Sequence, residues 1–179
     1  MSLIISIDPC YGPKSVLGMA LMEYLEDRKV LDYAFYTYHG HRLARQWTGD
    51  HKAWYAGMAH ACALGWAGRR DRCKGEAPII CIEGPRGQWE TTTALREFVG
   101  MLKERFNEWG WETVEVTATA AKKALTGDGN ADKDDMVEAA NKMIWLMDLT
   151  KKQQEAVADA IGIGLAGADK WEAEHKDKP

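Results

Sequence analysis

Four acidic residues in this sequence are placed where they could bind metal ions together. Asp8 and Glu83 each end a short apolar segment with a strand pattern, and Glu155 and Asp159 lie four residues apart in a helical pattern. The carboxyl ends of buried strands face the crevice where open α/β sheets bind ligands. Acids gathered there repel one another unless cations lie among them, and Mg²⁺ and Mn²⁺ prefer oxygen ligands. The pattern therefore predicts a divalent-metal site.

The segments that must position these acids alternate between strand and helix patterns. We expect strands at 3–8, 16–24, 30–38, 78–83 and 112–116, and helices at 48–68, 92–109, 118–125, 132–146 and 153–165. Three early strands followed by alternating helices and strands predict an α/β fold, in which a mixed five-stranded sheet carries helices on both faces.

Length and composition narrow the class of protein. The 179 residues suit one domain over residues 1–168. We expect residues 169–179 to form a charged, solvated and frayed tail, from which Trp171 could fold back on the domain. The four cysteines form no Cys-x-x-Cys pair, which argues against a zinc ribbon or a disulfide framework and favours a reducing cytoplasm. No apolar run approaches the ~20 residues of a membrane span, so no membrane partner is expected.

A net charge of −4 argues against a nucleic-acid partner, because phosphate binding usually requires a basic surface. The basic residues are nevertheless grouped, at 69–74, 122–123 and 151–152. Such groups are solvated loop charge in most proteins.

A short glycine-containing segment, 126–130, is flanked by Lys122, Lys123 and Lys133. Glycine, asparagine and aspartate also dominate ordinary turns, so this segment could be a simple connection between helices. With lysines beside it, the loop could instead contact DNA phosphates without reading bases. We favour Lys122 or Lys123 as a phosphate clamp, with Lys133 orienting substrate near the metals.

These segments resemble one known family, the RuvC-type Holliday-junction resolvases of the RNase H-like fold. The resemblance rests on Ile-Ser-Ile-Asp-Pro at 5–9, Ile-Glu at 82–83 and Ala-Asp-Ala-Ile at 158–161. The most specific part is the segment 116–133, which is similar to the family's lysine, Thr-Gly-x-Gly-x-Ala and acid-Lys pattern. The match does not separate cellular from phage-type members.

The resemblance implies a homodimeric endonuclease that resolves four-way DNA junctions with two Mg²⁺ or Mn²⁺ ions per active site. It implies that Asp8 bridges both metals, that Glu83 holds one and that Asp159 holds the other. The resemblance implies that the loop after Glu83 inserts at the junction centre. Arg86 and an exposed Trp89 are therefore candidate DNA contacts, with the tryptophan stacking on an unpaired base. The other tryptophans, Trp54, Trp66 and Trp145 among them, fit core or interface packing.

Two positions depart from the family pattern. The family places an acid three residues before the final aspartate, where this chain has Ala156, and Glu155 lies one residue earlier on the same helical face. Glu155 is thus either a replacement ligand or an ordinary solvated residue. Cys10 stands where the family has glycine, which changes the freedom of the first turn.

Alternative functions stay open at this stage. One is an RNase H-like nuclease that acts on other branched DNA or on RNA–DNA hybrids, and another is a non-catalytic RNase H-like DNA-binding module. A sugar-kinase-like or actin-like ATPase half would need phosphate-binding glycines after Asp8, which the sequence Pro-Cys-Tyr at 9–11 does not provide.

Overall fold

A computed structural model describes residues 3–9, 16–23, 28–37, 49–69, 77–84 and 90–176. Its strands are β1 (Leu3–Asp8), β2 (Val16–Glu23), β3 (Val30–Thr37), β4 (Ile79–Glu83) and β5 (Thr113–Val116). Its helices are α1 (Gly49–Arg69), α2 (Glu90–Asn107), α3 (Ala118–Thr126), α4 (Lys133–Asn141) and α5 (Lys151–His175). The predicted α/β fold with a mixed five-stranded sheet is confirmed.

Strand β1 is the centre of the sheet, whose order is β3-β2-β1-β4-β5. Strands β1, β2 and β3 follow one another in antiparallel pairs, whereas β1, β4 and β5 are parallel. Parallel neighbours need long crossovers, which explains why α1 precedes β4 and α2 precedes β5. The crossovers bring the carboxyl ends of β1 and β4 to the same edge of the sheet.

The sheet is covered on both faces, because alternate residues of each strand point to opposite sides. Ile5 and Ile80 pack with helices α1 and α2 in one apolar cluster. Ile4 and Ile79, one position earlier in each strand, pack with α3, α4 and α5 in the other. This alternation decides which face each strand's terminal acid lies on.

Helix α5 lies unusually close to the sheet because glycine occupies the crossing points. A Cβ at Gly167 would be 2.2 Å from Cys81 Sγ, and a Cβ at Gly164 would be 3.0 Å from Ser6 Oγ. On the opposite side of the contact, a Cβ at Gly18 of β2 would be 2.0 Å from the carbonyl oxygen of Ala156. The backbones of α5 and of the sheet are therefore in direct contact.

Helix α4 is shorter than the predicted 132–146 helix. After Asn141 the chain turns, with the amides of Met143 and Ile144 both donating to the Ala140 carbonyl and the Leu146 amide donating to Asn141 Oδ1. For Trp145 the sequence predicts packing in the core or at an interface; the core alternative is wrong, because this turn leaves its side chain 65% exposed.

Two other tryptophan predictions have different outcomes. Trp66 on α1 is buried, as predicted, and donates to Asp32 Oδ2 at 3.0 Å. The side chain of Trp54 lies outside the described residues.

Helix α5 is longer than the predicted 153–165 helix, and the predicted frayed tail is wrong over residues 169–175. The extension is anchored by contacts with residues distant in sequence. Arg28, in the β2–β3 connection, binds Asp169 and also Glu172, the latter at 3.2 Å. The Trp171 indole donates to Glu112 Oε2 at 3.1 Å. These contacts keep the helix regular beyond the end of its apolar pattern.

The Cys81 thiol should be unreactive in the folded protein. Cys81 is fully buried against α5, and burial raises the pKa of its thiol to about 12. Since the thiolate is the reactive form, we expect no labelling by a disulfide reagent at pH 8 until the protein unfolds. A variant with serine at the other three cysteines isolates this thiol, and rapid labelling under native conditions would contradict the prediction.

Candidate active site

Asp8 and Glu83 lie side by side at one edge of the sheet. They end the adjacent parallel strands β1 and β4, which are paired up to the preceding residues. Ser6 and Cys81, two positions before each acid, lie against glycines of α5. Because side chains alternate along a strand, Asp8 and Glu83 project on the same α5-covered face.

Helix α5 brings Glu155 and Asp159 to this edge. The close approach of Ala156 to Gly18 fixes the early turns of the helix over β2, and Gly18 is the residue paired with Asp8. Asp159 and Glu83 line one cavity of about 250 Å³, together with Lys122, Lys133 and the apolar residues Ala121 and Met136. The structure thus places residues distant in sequence around one cavity.

Electrostatic coupling shows that the acids share one environment. Burial raises the pKa of Asp8 well above its ordinary 3.8, and the negative charges of Asp159 and Glu83 raise it further, whereas Lys133 lowers it. A carboxyl group responds in this way when like charges lie close by in a poorly solvated site. The three acids therefore form a single electrostatic unit.

Lys133 is the cation in contact with this unit. Its Nζ lies 2.7 Å from Asp159 Oδ2 and 3.9 Å from Glu155 Oε2. Burial alone would lower the pKa of Lys133, but Asp159, followed by Asp8 and Glu155, raises it above its ordinary 10.5. Glu155 therefore lies beside the same lysine as Asp159, with its side chain only 22% exposed, and its role as a metal ligand stays a prediction.

The chemistry of these side chains fits hard divalent cations, which bind carboxylate oxygens. The closeness of several negative charges also fits divalent cations, because an added cation would relieve the repulsion around Asp8. In the arrangement as it stands, no three acidic, histidine or cysteine side chains of the described residues converge on one ion-binding point. Ion binding would therefore require rearrangement of side chains around Lys133.

Comparison with known proteins places this site in a familiar fold. The Thermus thermophilus RuvC structure matches with a TM-score of 0.58, and T. thermophilus RuvC in complex with a Holliday junction substrate matches with 0.62. Both share 18% sequence identity with this chain, and both matches cover 97% of it and 96% of the other chain. The chain has the RuvC fold.

Sequence comparison also finds similarity to RuvC proteins, over 42% of this chain. The chain is 33% identical over 76 residues to the crossover junction endodeoxyribonuclease RuvC of Synechococcus sp. strain WH7803. It is 34% identical over 76 residues to the RuvC of strain CC9311. The chain spans about half the length of these curated relatives, 48% and 46%, and no family model matches it. The predicted resemblance to RuvC is confirmed.

The glycine-containing segment 126–130, the glycine loop, has a defined structure. The Lys122 ammonium donates to the Ala131 carbonyl at 2.7 Å, which ties the two ends of the loop together. Thr126 Oγ1 accepts from the Asp128 amide, and Gly127 takes a left-handed conformation with φ of 85°. Lys122 thus faces both the loop and the cavity, whereas Lys123 is exposed to solvent.

Three positions named from the sequence lie outside the described residues. They are Cys10, Arg86 and Trp89. The proposed DNA-contact roles of Arg86 and Trp89 accordingly stay predictions.

Sequence reasoning missed two features that hold the site. One is the direct contact of Gly18 with α5, for which a lone glycine in a strand is only a weak signal. The other is the capping box of α4, in which Asp132 accepts from the amides of Asp134 and Asp135 while the Asp135 side chain accepts from the Asp132 amide. The acid three residues after Asp132 was the available signal for this cap. The cap fixes the start of α4, and hence Lys133, at the cavity.

Proposed function

We propose that this chain is a divalent-metal-dependent endonuclease that cleaves four-way DNA junctions. The observation that carries the proposal is the meeting of acids at the carboxyl edge of the sheet, where Asp8 and Glu83 end neighbouring parallel strands and Asp159 lines one cavity with Glu83. Similarity to curated crossover junction endodeoxyribonucleases and the fold of a junction-bound RuvC support it. The reaction would be hydrolysis of one phosphodiester bond of the branched DNA at each active site.

In this proposal the metal ligands are Asp8, Glu83, Glu155 and Asp159. Two bound Mg²⁺ or Mn²⁺ ions would supply an activated water and neutralise the charge of the departing oxygen. The protein's own contribution is position, because Asp8 and Glu83 end two neighbouring strands and α5 carries both Glu155 and Asp159, the latter lining one cavity with Glu83. Glu155 takes the place of the family acid that Ala156 does not provide.

DNA binding in this proposal uses the basic residues beside the cavity. Lys123 is exposed and Lys122 lines the cavity mouth, so both can contact the phosphate backbone. Arg86 and Trp89 complete the proposed contacts in the loop after β4. Such phosphate contacts position the DNA without reading its sequence.

We expect the double variant Lys122→Met/Lys123→Met to bind four-way junctions more weakly. Each lost phosphate contact should also reduce the slope of log affinity against log salt by about 1, so the double variant should lose about 2. Binding titrations at several salt concentrations measure both effects. Lys142→Met, at an exposed lysine that pairs with Glu138 on α4, is the matched control. An unchanged affinity and slope would contradict the phosphate contacts.

A cleavage assay tests the proposal directly. A labelled synthetic four-way junction is incubated with the protein and Mg²⁺, Mn²⁺ or a chelator, beside a flap DNA, an RNA–DNA hybrid and a linear duplex. We expect paired cuts in the junction that depend on the metal. Preferential cutting of the flap or the hybrid would support an RNase H-like nuclease of different specificity.

The second candidate is a non-catalytic RNase H-like module that binds branched DNA. It is favoured by the alanine at 156 and by the lack of three converging ligands among the described residues. Tight junction binding without cleavage in any metal would support this candidate and overturn the nuclease.

The proposed nuclease domain spans residues 1–168, and the end of α5 beyond it packs along the sheet edge. We propose that two copies form a homodimer, so that one junction meets two active sites. Sedimentation of the protein alone and with junction DNA tests the dimer.

None of the described helices is long and apolar enough to cross a membrane, and a cytoplasmic location is part of the proposal.

A further inference from the structure

We infer that Lys133 is a built-in competitor of the divalent ion: its ammonium holds the acidic site together in the ion-free protein and must leave Asp159 when an ion binds. This inference rests on the proposed function, since it concerns the same metal site. Lys133, for which the sequence predicts a role in orienting the substrate, then also sets the affinity of the site for metal ions.

The first support is geometry. The Lys133 ammonium is within hydrogen-bond distance of Asp159, at 2.7 Å, and within ion-pair distance of Glu155, at 3.9 Å. Both carboxylates are about three-quarters buried, with 24% and 22% of their side chains exposed. One positive charge therefore contacts two of the four proposed metal ligands.

The second support is the contrast with the neighbouring lysines. Lys122 lines the same cavity, but its ammonium donates to the Ala131 carbonyl. Lys151 lies on the first turn of α5, one turn before Glu155, but its ammonium pairs with Asp134 at 2.8 Å. Lys133, by contrast, contacts Asp159 and Glu155 directly.

The third support is that the backbone of Lys133 is held in place whereas its side chain is largely exposed. The capping box of Asp132 and Asp135 fixes the first residue of α4. The side chain itself is 57% exposed, so the ammonium can move into solvent with a small loss of ion-pair energy. A divalent ion carries twice the charge and binds carboxylate oxygens directly, so it can displace the ammonium.

The competition predicts opposite effects of one substitution on two measurements. Lys133→Met removes the competing charge, so Mn²⁺ should bind about two- to fivefold more tightly. The same variant leaves the acids without their internal cation, so its Tm in chelator should fall by a few degrees. Isothermal titration with MnCl₂ and thermal unfolding in chelator measure the two effects on the full chain.

Two matched variants separate competition from a general charge effect. Lys133→Arg keeps a cation beside Asp159, so its Mn²⁺ affinity should stay near that of the wild type. Lys151→Met removes one positive charge close to Glu155, but the Lys151 ammonium pairs with Asp134 and contacts none of the proposed metal ligands at ion-pair distance. An equal tightening in Lys133→Met and Lys151→Met would overturn the inference.

The outcomes distinguish this inference from the proposed function. If the wild type binds Mn²⁺ and Asp8→Asn weakens binding, the metal site stands; an unchanged affinity in Lys133→Met then overturns only the competition. If the wild type binds no Mn²⁺, the metal site and the competition are both overturned. Tighter binding with a lower Tm in chelator, specific to Lys133→Met, supports the inference.

Discussion

The variant Asp8→Asn should bind four-way junctions with nearly wild-type affinity and lose at least about a thousandfold of the cleavage rate. Asp8 ends the central strand beside Glu83, and burial, followed by the negative charges of Asp159 and Glu83, raises its pKa. A metal site supplies several kcal/mol of transition-state stabilisation, and each 1.4 kcal/mol is a factor of ten in rate. Single-turnover cleavage in Mg²⁺, beside a binding titration in chelator, measures the two quantities separately.

The matched control is Glu174→Gln, near the end of α5. Glu174 is exposed and lies about 22 Å beyond Asp159 along α5, at 1.5 Å per residue. This variant should cleave at the wild-type rate. Substantial cleavage by Asp8→Asn would refute the metal role of Asp8.

The same variant has a second expected effect, on stability against pH. Because the pKa of Asp8 is raised in the folded protein, the folded state binds a proton that the unfolded chain has already lost. The wild type therefore loses stability as pH rises from about the ordinary carboxyl value of 3.8 through the raised value. Asp8→Asn should remove this loss, so in chelator at pH 7 it should unfold at a higher temperature than the wild type. Below pH 3.8 the difference should vanish, because both states are then protonated.

Gly18→Ala should damage the fold and the site together. A Cβ at this position would lie 2.0 Å from the carbonyl oxygen and 2.4 Å from the carbonyl carbon of Ala156. Both contacts are with backbone, so β2 and α5 must separate. Overpacking of this kind costs about 3 kcal/mol, which lowers the Tm of a chain of this size by roughly 6–12 °C.

The catalytic consequence follows from the register. Gly18 is paired with Asp8, and Ala156 lies directly after Glu155. Separating β2 from α5 therefore changes the distance between ligands on opposite sides of the site. A displacement of 1 Å can cost about a hundredfold in rate. We expect a loss of that size in folded Gly18→Ala protein, measured well below its Tm.

Gly100→Ala is the control for Gly18→Ala. Gly100 is an exposed residue within α2, and a Cβ there would meet no atom within 4 Å. Alanine should stabilise this helix by roughly 0.5–1 kcal/mol. Equal Tm values for the two variants would contradict the packing account.

The sequence was sufficient to predict the strands and the acids at their ends. Asp8 and Glu83 each follow a short apolar segment, and a period of two in both strands determines the face they occupy. Asp159 could be placed because the helical pattern around it is strong. These signals depend on residues close together in the chain, so they can be recognised in a single sequence.

The parts that escaped prediction depend on contacts between distant residues. The pattern of α5 stops being apolar near residue 169, but the helix continues because Arg28 binds Asp169 and Trp171 binds Glu112. The contact between Gly18 and Ala156 is likewise a property of packing. The pairing of Lys133 with Asp159 joins two helices. From the sequence, Lys133 could be placed near the proposed metal site but not assigned to a partner.

Helix α5 supplies two of the four proposed ligands and lies along the central strands of the sheet. A nascent chain that has left the ribosome only as far as β5 would hold Asp8 and Glu83 without Glu155 and Asp159. Its sheet would also lack the cover that completes the second apolar face. The four proposed ligands would then come together only when α5 docks on the sheet.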